Sequence, residues 1–140
     1  MEHAEPPAGQ QEKLQEAAFV YQLLQQRLEE LSQQAAVIER AFFEVKSTQD
    51  GVKSLKDISS GELLIPIGNG CYIKGRGSPG EQGVLVGITQ DILVEKTAQE
   101  TDAMLEKRTA ELQNALNAVA QEMKRVSEQM NAIAQNVQKG

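Results

Sequence analysis

Three features of this 140-residue chain are of a type that could do chemistry. Gly75-Arg76-Gly77-Ser78-Pro79-Gly80 matches G-x-G-x-x-G, the spacing that lets a dinucleotide-binding turn approach a pyrophosphate. Glu95 lies about 20 residues further on, behind an apolar run, where such a fold would grip a ribose. Cys71 is the only cysteine and His3 the only histidine.

Each of the three fails on a physical requirement. A pyrophosphate site needs its glycine turn to open a helix, whose N-terminus supplies donors and dipole. Here Gly83 and then Val84-Leu85-Val86-Gly87-Ile88 follow, a strand-like run too short for a crossover helix. Pro79 and the surplus glycines suit a solvent-exposed loop. Cys71 has no partner for a disulfide and no basic cluster to activate it, so a buried strand thiol in a reducing compartment is expected. His3 stands in a proline-containing tail, which leaves no histidine-based catalytic or metal constellation. The chain reads as a non-enzyme with no cofactor and no metal site.

Composition narrows the class further. Apolar residues make up 40% of the chain but aromatics only 4%, with no tryptophan, which is lean for a compact core. The 17 glutamines cluster in two segments that also hold most of the charge. A net charge of −6 argues against nucleic acid, because phosphate binding needs clustered Lys and Arg. The N-terminal ten residues lack the basic and apolar regions of a signal peptide. No apolar run approaches the ~20 residues of a membrane span, so a cytoplasmic protein without a membrane partner is expected.

The elements that would carry any function are two long helices. Leu14, Ala17, Tyr21, Leu24, Leu28, Leu31, Ala35, Ile38, Phe42, Val45 and Val52 recur at steps of three and four, interrupted once at Gln49. That is a heptad seam on one edge of a long helix, with Gly51 as its first weak point. Thr97-Ala98-Gln99-Glu100 fits a capping box and starts the second helix. Its seam runs through Ala98, Leu105, Thr109, Leu112, Leu116, Val119, Met123, Val126, Met130, Ile133 and Val137. Two helices of equal length, each roughly 60 Å by their rise per residue, predict an antiparallel coiled-coil hairpin whose termini meet at one tip.

Between them the composition turns to glycine and β-branched residues. Runs at 62–67, 70–75, 84–88 and 92–97, with short turns at Gly68-Asn69-Gly70 and Thr89-Gln90-Asp91, predict two β-hairpins. Pro66 cannot donate to a ladder and is expected at an edge or bulge. Four short strands make no comfortable domain alone, so hairpins of several chains are expected to complete a shared barrel. The expected fold class is therefore α+β: a long antiparallel coiled-coil helical hairpin with two central β-hairpins that join a multi-subunit β-barrel platform. The expected division is a flexible tail over 1–9, helix over 10–56, hairpins over 57–96, helix over 97–138 and an end at 139–140.

The order of these pieces, with Leu63-Leu64-Ile65-Pro66-Ile67-Gly68-Asn69-Gly70-Cys71-Tyr72-Ile73-Lys74-Gly75 and Val94-Glu95-Lys96-Thr97 in the insert, resembles a prefoldin subunit across nearly the whole chain. Two hairpins instead of one are similar to the alpha class. The resemblance implies an ATP-independent co-chaperone: a hexamer of two alpha-class and four beta-class subunits that binds unfolded or nascent polypeptides at its arm tips. It also implies delivery of those clients to a group II chaperonin.

With that resemblance, the tip residues expected to bind clients are Leu14, Phe19, Val20, Leu23, Val126, Met130, Ile133 and Val137. Phe19, Val20 and Leu23 lie off the seam on an outward stripe. The helix 2 residues belong to the seam and would reach a client only if the coiled coil splayed. Phe43, also off the seam, is expected to pack under the β insert. The assembly residues expected on the platform are Leu63, Leu64, Ile65, Ile67, Tyr72, Ile73, Val84, Leu85, Val86, Ile92, Leu93 and Val94. The alternatives are a structural adaptor of the same fold without general client holding, a nucleotide-dependent enzyme or an isolated dimeric coiled coil.

Overall fold

The structure, a computed structural model, describes residues 8–57, 61–78 and 83–139. The elements in chain order are α1 (Ala8–Ser54), a 3-10 turn (Leu55–Asp57), β1 (Gly61–Gly68), β2 (Cys71–Gly77), β3 (Val84–Gly87), β4 (Leu93–Lys96) and α2 (Ala98–Lys139). Two long helices thus flank two small antiparallel hairpins, as the periodicity and turn chemistry predict. No described helix is long and apolar enough to cross a membrane.

Helix α1 begins at Ala8, two residues before the expected start. Gly9 does not break the helix there, because its entropic cost of about 1 kcal/mol is small beside the packing of a 47-residue helix. The rest of the expected tail, residues 1–7, lies outside the described residues. Gly51 does not end the helix either: α1 runs on to Ser54, whose hydroxyl donates to the Gly51 carbonyl at 2.7 Å. The last turn then tightens to 3-10 geometry, a common way for a helix to end.

The start of α2 is fixed by its capping box. The Glu100 N–H donates to Thr97 Oγ1 at 3.0 Å, and the Thr97 hydroxyl donates to Glu100 Oε1 at 3.1 Å. The Thr97 carbonyl takes both the backbone N–H and the hydroxyl of Thr101, each at 2.9 Å. The cap satisfies the Glu100 N–H, a donor otherwise orphaned in the first turn, a contribution of about 1 kcal/mol.

The chain divides into two compact units. The first unites residues 1–40 with 113–140. Its core is Leu31, Val119, Val126 and Met130, with Tyr21, Leu24, Leu28, Ala35, Ile38 and Met123 packed against it. Every one of these is a residue of the expected seam. The N-terminal turns of α1 lie beside the C-terminal turns of α2 in this unit, so the two segments run antiparallel.

The second unit, residues 41–112, holds the end of α1, the four strands and the start of α2. Val52, Leu105 and Leu112 are buried in it, together with the polar Gln49, Thr101 and Thr109. Gln49 is only 2% exposed, and its side-chain amide donates to Glu106 Oε2. The apparent interruption of the seam is therefore a buried polar position within it. Gln49 follows Val45 by four residues and precedes Val52 by three, so the spacing never broke.

Strands β1 and β2 pair from Gly61↔Gly77 to Gly68↔Cys71, with the register shifting between Pro66 and Gly68. The bulge falls where Pro66 cannot donate. Asn69 and Gly70 turn the chain with φ of 51° and 75°, the left-handed pair of a tight hairpin turn. Strands β3 and β4 pair from Val84↔Lys96 to Gly87↔Leu93, closed by a bond from the Ile88 N–H to the Ile92 carbonyl. Ile88 and Ile92 thus flank the turn and lie outside the strands. The two hairpins form two separate two-stranded sheets.

Candidate functional site

The described part of the glycine motif takes a conformation unsuited to phosphate, while Pro79 and Gly80 lie outside the described residues. Gly75, Arg76 and Gly77 are strand residues of β2, extended and paired with Leu63, Glu62 and Gly61. The next element among the described residues is strand β3, and Gly75 and Gly77 lie within a strand and not at a helix start. Gly75 lies beside Ile65, whose Cδ1 would stand 2.9 Å from an added Cβ and would have to turn aside. Cys71 corrects an expectation, since it begins β2 with its thiol exposed and not buried. Among the described residues no group of three His, Cys, Asp or Glu side chains could hold a metal ion.

Exposed apolar side chains concentrate in two places, one in each unit, with Val37 and Phe43 exposed besides. In the helical unit, Leu14, Phe19, Val20, Leu23 and Val137 are exposed, and Ile133 is half-buried. Leu14, Ala17, Ile133 and Val137 line a hollow of about 470 Å³, with Gln10, Lys13 and Asn136 at its rim. Phe19 stands 63% exposed outside this hollow. The terminal turns have fewer neighbours across the seam, and for that reason Leu14 and Val137 stay open although their spacing continues it.

Val126 and Met130 behave differently from the other expected tip residues. They are 2% and 9% exposed and belong to the core with Leu31 and Val119. A client could reach Val126 only by opening the seam. Met130, with Met123 and Leu28, also floors a shallow groove rimmed by Gln22, Gln25, Gln26, Glu29 and Ser32.

In the strand-bearing unit eight of the twelve expected assembly residues are exposed and the other four are half-buried. Leu64, Ile65, Ile67, Tyr72 and Ile73 on the first hairpin are exposed, and Leu63 is half-buried. Pairing puts Leu63, Ile65 and Ile73 on one face and Leu64, Pro66 and Tyr72 on the other, so both faces of that hairpin are apolar. On the second hairpin Val84, Val86 and Val94 are half-buried on one face, while Leu85 and Leu93 are exposed on the other. Ile92 is exposed beside its turn.

Phe43 corrects another expectation. It is 68% exposed and meets Phe42 edge to face, with ring centroids 6.0 Å apart and planes at 80°. It is not covered by the insert. Gln49 and Thr101 are the buried positions that periodicity passed over. Thr101 fills the gap between Ala98 and Leu105 at the same steps of three and four, a signal hidden by its hydroxyl.

Comparison with known proteins follows this geometry closely. The family model described as "Prefoldin subunit" matches residues 24–139. The prefoldin subunit alpha of Pyrococcus horikoshii is 30% identical over 127 residues, covering 86% of this chain and 85% of that one. Prefoldin subunit alpha 1 of Thermococcus kodakarensis is 32% identical over 102 residues, covering 71% and 68%. Among solved structures, a chain of the filamentous PFD of Methanocaldococcus jannaschii, seen by cryo-EM, superposes with a TM-score of 0.69. That likeness covers 86% of this chain and 97% of the other at 18% identity, and it speaks for the fold alone. Matched over most of its length and carrying two hairpins between its helices, the chain belongs to the prefoldin subunit family, a co-chaperone family, as an alpha-class member.

Proposed function

We propose that this chain is a subunit of an ATP-independent holdase. Its hairpins complete a β-barrel platform with beta-class subunits, in the ratio of two alpha to four beta. The end of its helical unit captures non-native polypeptide and passes it to a group II chaperonin. The observation that carries this reading is the set of large apolar side chains left open at one end of that unit: Leu14, Phe19, Val20, Leu23 and Val137, with Ile133 beside them.

Magnitudes fit capture and release without nucleotide. Burying one such side chain gains about 1.5–3 kcal/mol. Two or three contacts at one subunit give weak binding once the ordering of both partners is subtracted. Several subunits holding one unfolded chain raise avidity by about 10²–10⁴, and each contact still lets go on its own. The hairpins support the assembly half of the reading. Isolated two-stranded sheets are marginal in water, and their open edges and apolar faces call for neighbours.

The test is light scattering of a chemically denatured protein diluted into the complex of this chain with a beta-class partner, without nucleotide. Suppressed scattering that Phe19→Ser with Leu23→Ser weakens, at unchanged complex mass, is the expected result. An intact complex that never suppresses scattering would leave the adaptor as the better description.

A further inference from the structure

The outward face of α1 near its N-terminus is not purely apolar. At 100° per residue Glu12, Glu16, Phe19 and Leu23 fall within about 60° of one another, on the side of the helix away from the seam. Glu12, Glu16 and Phe19 line one shallow hollow together with Gln15. Neither glutamate takes part in an ion pair among the described residues, whereas Glu30, further along the same face, is held by Arg27 at 3.5 Å. Lys13 lines the other hollow, with Leu14 and Val137, and is not among the residues around Glu12 and Glu16 in theirs. The first 16 residues of the chain carry four glutamates against one lysine.

We propose that this stripe selects its clients by charge as well as by apolarity: it takes segments in which apolar side chains are flanked by Lys or Arg. The inference rests on the holdase reading and adds a substrate class to it. Phe19 and Leu23 supply the apolar contact, and Glu12 and Glu16 stand beside it, placed for a basic flank of an extended segment. A segment with acidic flanks meets like charge at the same place. Discrimination of this kind, by repulsion of the wrong ligand, needs no pocket and no nucleotide. It also suits a weak site, since a few exposed ion pairs alter affinity several-fold without making release slow.

The probes are two fluorescent peptides with the same apolar hexamer, one flanked by two lysines at each end and the other by two glutamates. Binding to the full chain, assembled with its beta-class partner, is read by anisotropy at low and at high salt. The lysine-flanked peptide should bind at least about fivefold more tightly at low salt, with the gap closing at high salt. Glu12→Gln with Glu16→Gln should reduce the gap to within about twofold while a peptide with neutral flanks binds as before. Equal binding of both peptides, or a gap that survives the glutamine substitutions, overturns charge selection and leaves the holdase standing. Loss of scattering suppression by the unaltered complex instead removes the holdase itself. A change in complex mass on Phe19→Ser with Leu23→Ser would identify the stripe as a subunit contact and overturn the proposal as well.

Discussion

The two units close their interiors by different chemistry. In the helical unit the seam is apolar throughout, with Leu31, Val119, Val126 and Met130 at its centre. In the strand-bearing unit it admits Gln49, Thr101 and Thr109, each with a hydrogen bond: Gln49 to Glu106, Thr101 to the Thr97 carbonyl and Thr109 to the Leu105 carbonyl. Apolar seams give stability but tolerate sliding, because one heptad looks much like the next. A buried amide that must find its acceptor penalises every other register, and that is the best-attested use of a polar seam position. In the strand-bearing unit helix alignment is thus chemically specified, whereas in the helical unit the helices are held by contact area alone.

Four substitutions break or sharpen that contrast. The largest effect is expected from Leu31→Ala, which removes a side chain 2% exposed at the centre of the apolar seam. It should cost about 2–5 kcal/mol in urea unfolding followed by circular dichroism. Thr97→Ala removes the cap at the start of α2 in the other unit and should cost about 1 kcal/mol. Its mark would be faster amide exchange at Gln99 to Thr101 with little change in residues 116–130. Gln49→Leu should leave global stability within about 1 kcal/mol or raise it, since an apolar group replaces a buried polar one of similar size. Amide exchange over 42–54 should nonetheless quicken, because register is no longer fixed; unchanged exchange would show that Gln49 specifies nothing. The smallest effect belongs to Glu122→Gln, which breaks an exposed pair with Arg125 at 2.6 Å and should shift stability by less than about 0.5 kcal/mol.

The positions whose burial departs from periodicity and apolarity share a physical cause. Gln49 and Thr101 were passed over because their side chains are polar, although their spacing fits the seam. Burial follows position, and hydrogen bonds make it tolerable. Cys71 is expected to be buried as an unactivated strand thiol and Phe43 to pack under the insert, yet both are exposed among the described residues. Apolarity says what a side chain prefers, and only a neighbour can satisfy the preference. The tip residues show both sides of this. Leu14 and Val126 are alike as seam positions, but one lies in a terminal turn with open space beside it and the other faces Leu31.

Local interactions were written in the sequence. The three-and-four spacing makes two long helices, Thr97 with Glu100 starts the second, Asn69-Gly70 turns the first hairpin and Pro66 sits at its bulge. Each depends on residues a few positions apart, so the chain carries the information in order. Tertiary structure alone decided which seam residues are sealed, that Gln49 finds Glu106 across 57 positions of chain, and that the strands leave their apolar faces open. Those outcomes depend on what stands opposite each side chain, and burial is a property of the pair and not of the residue.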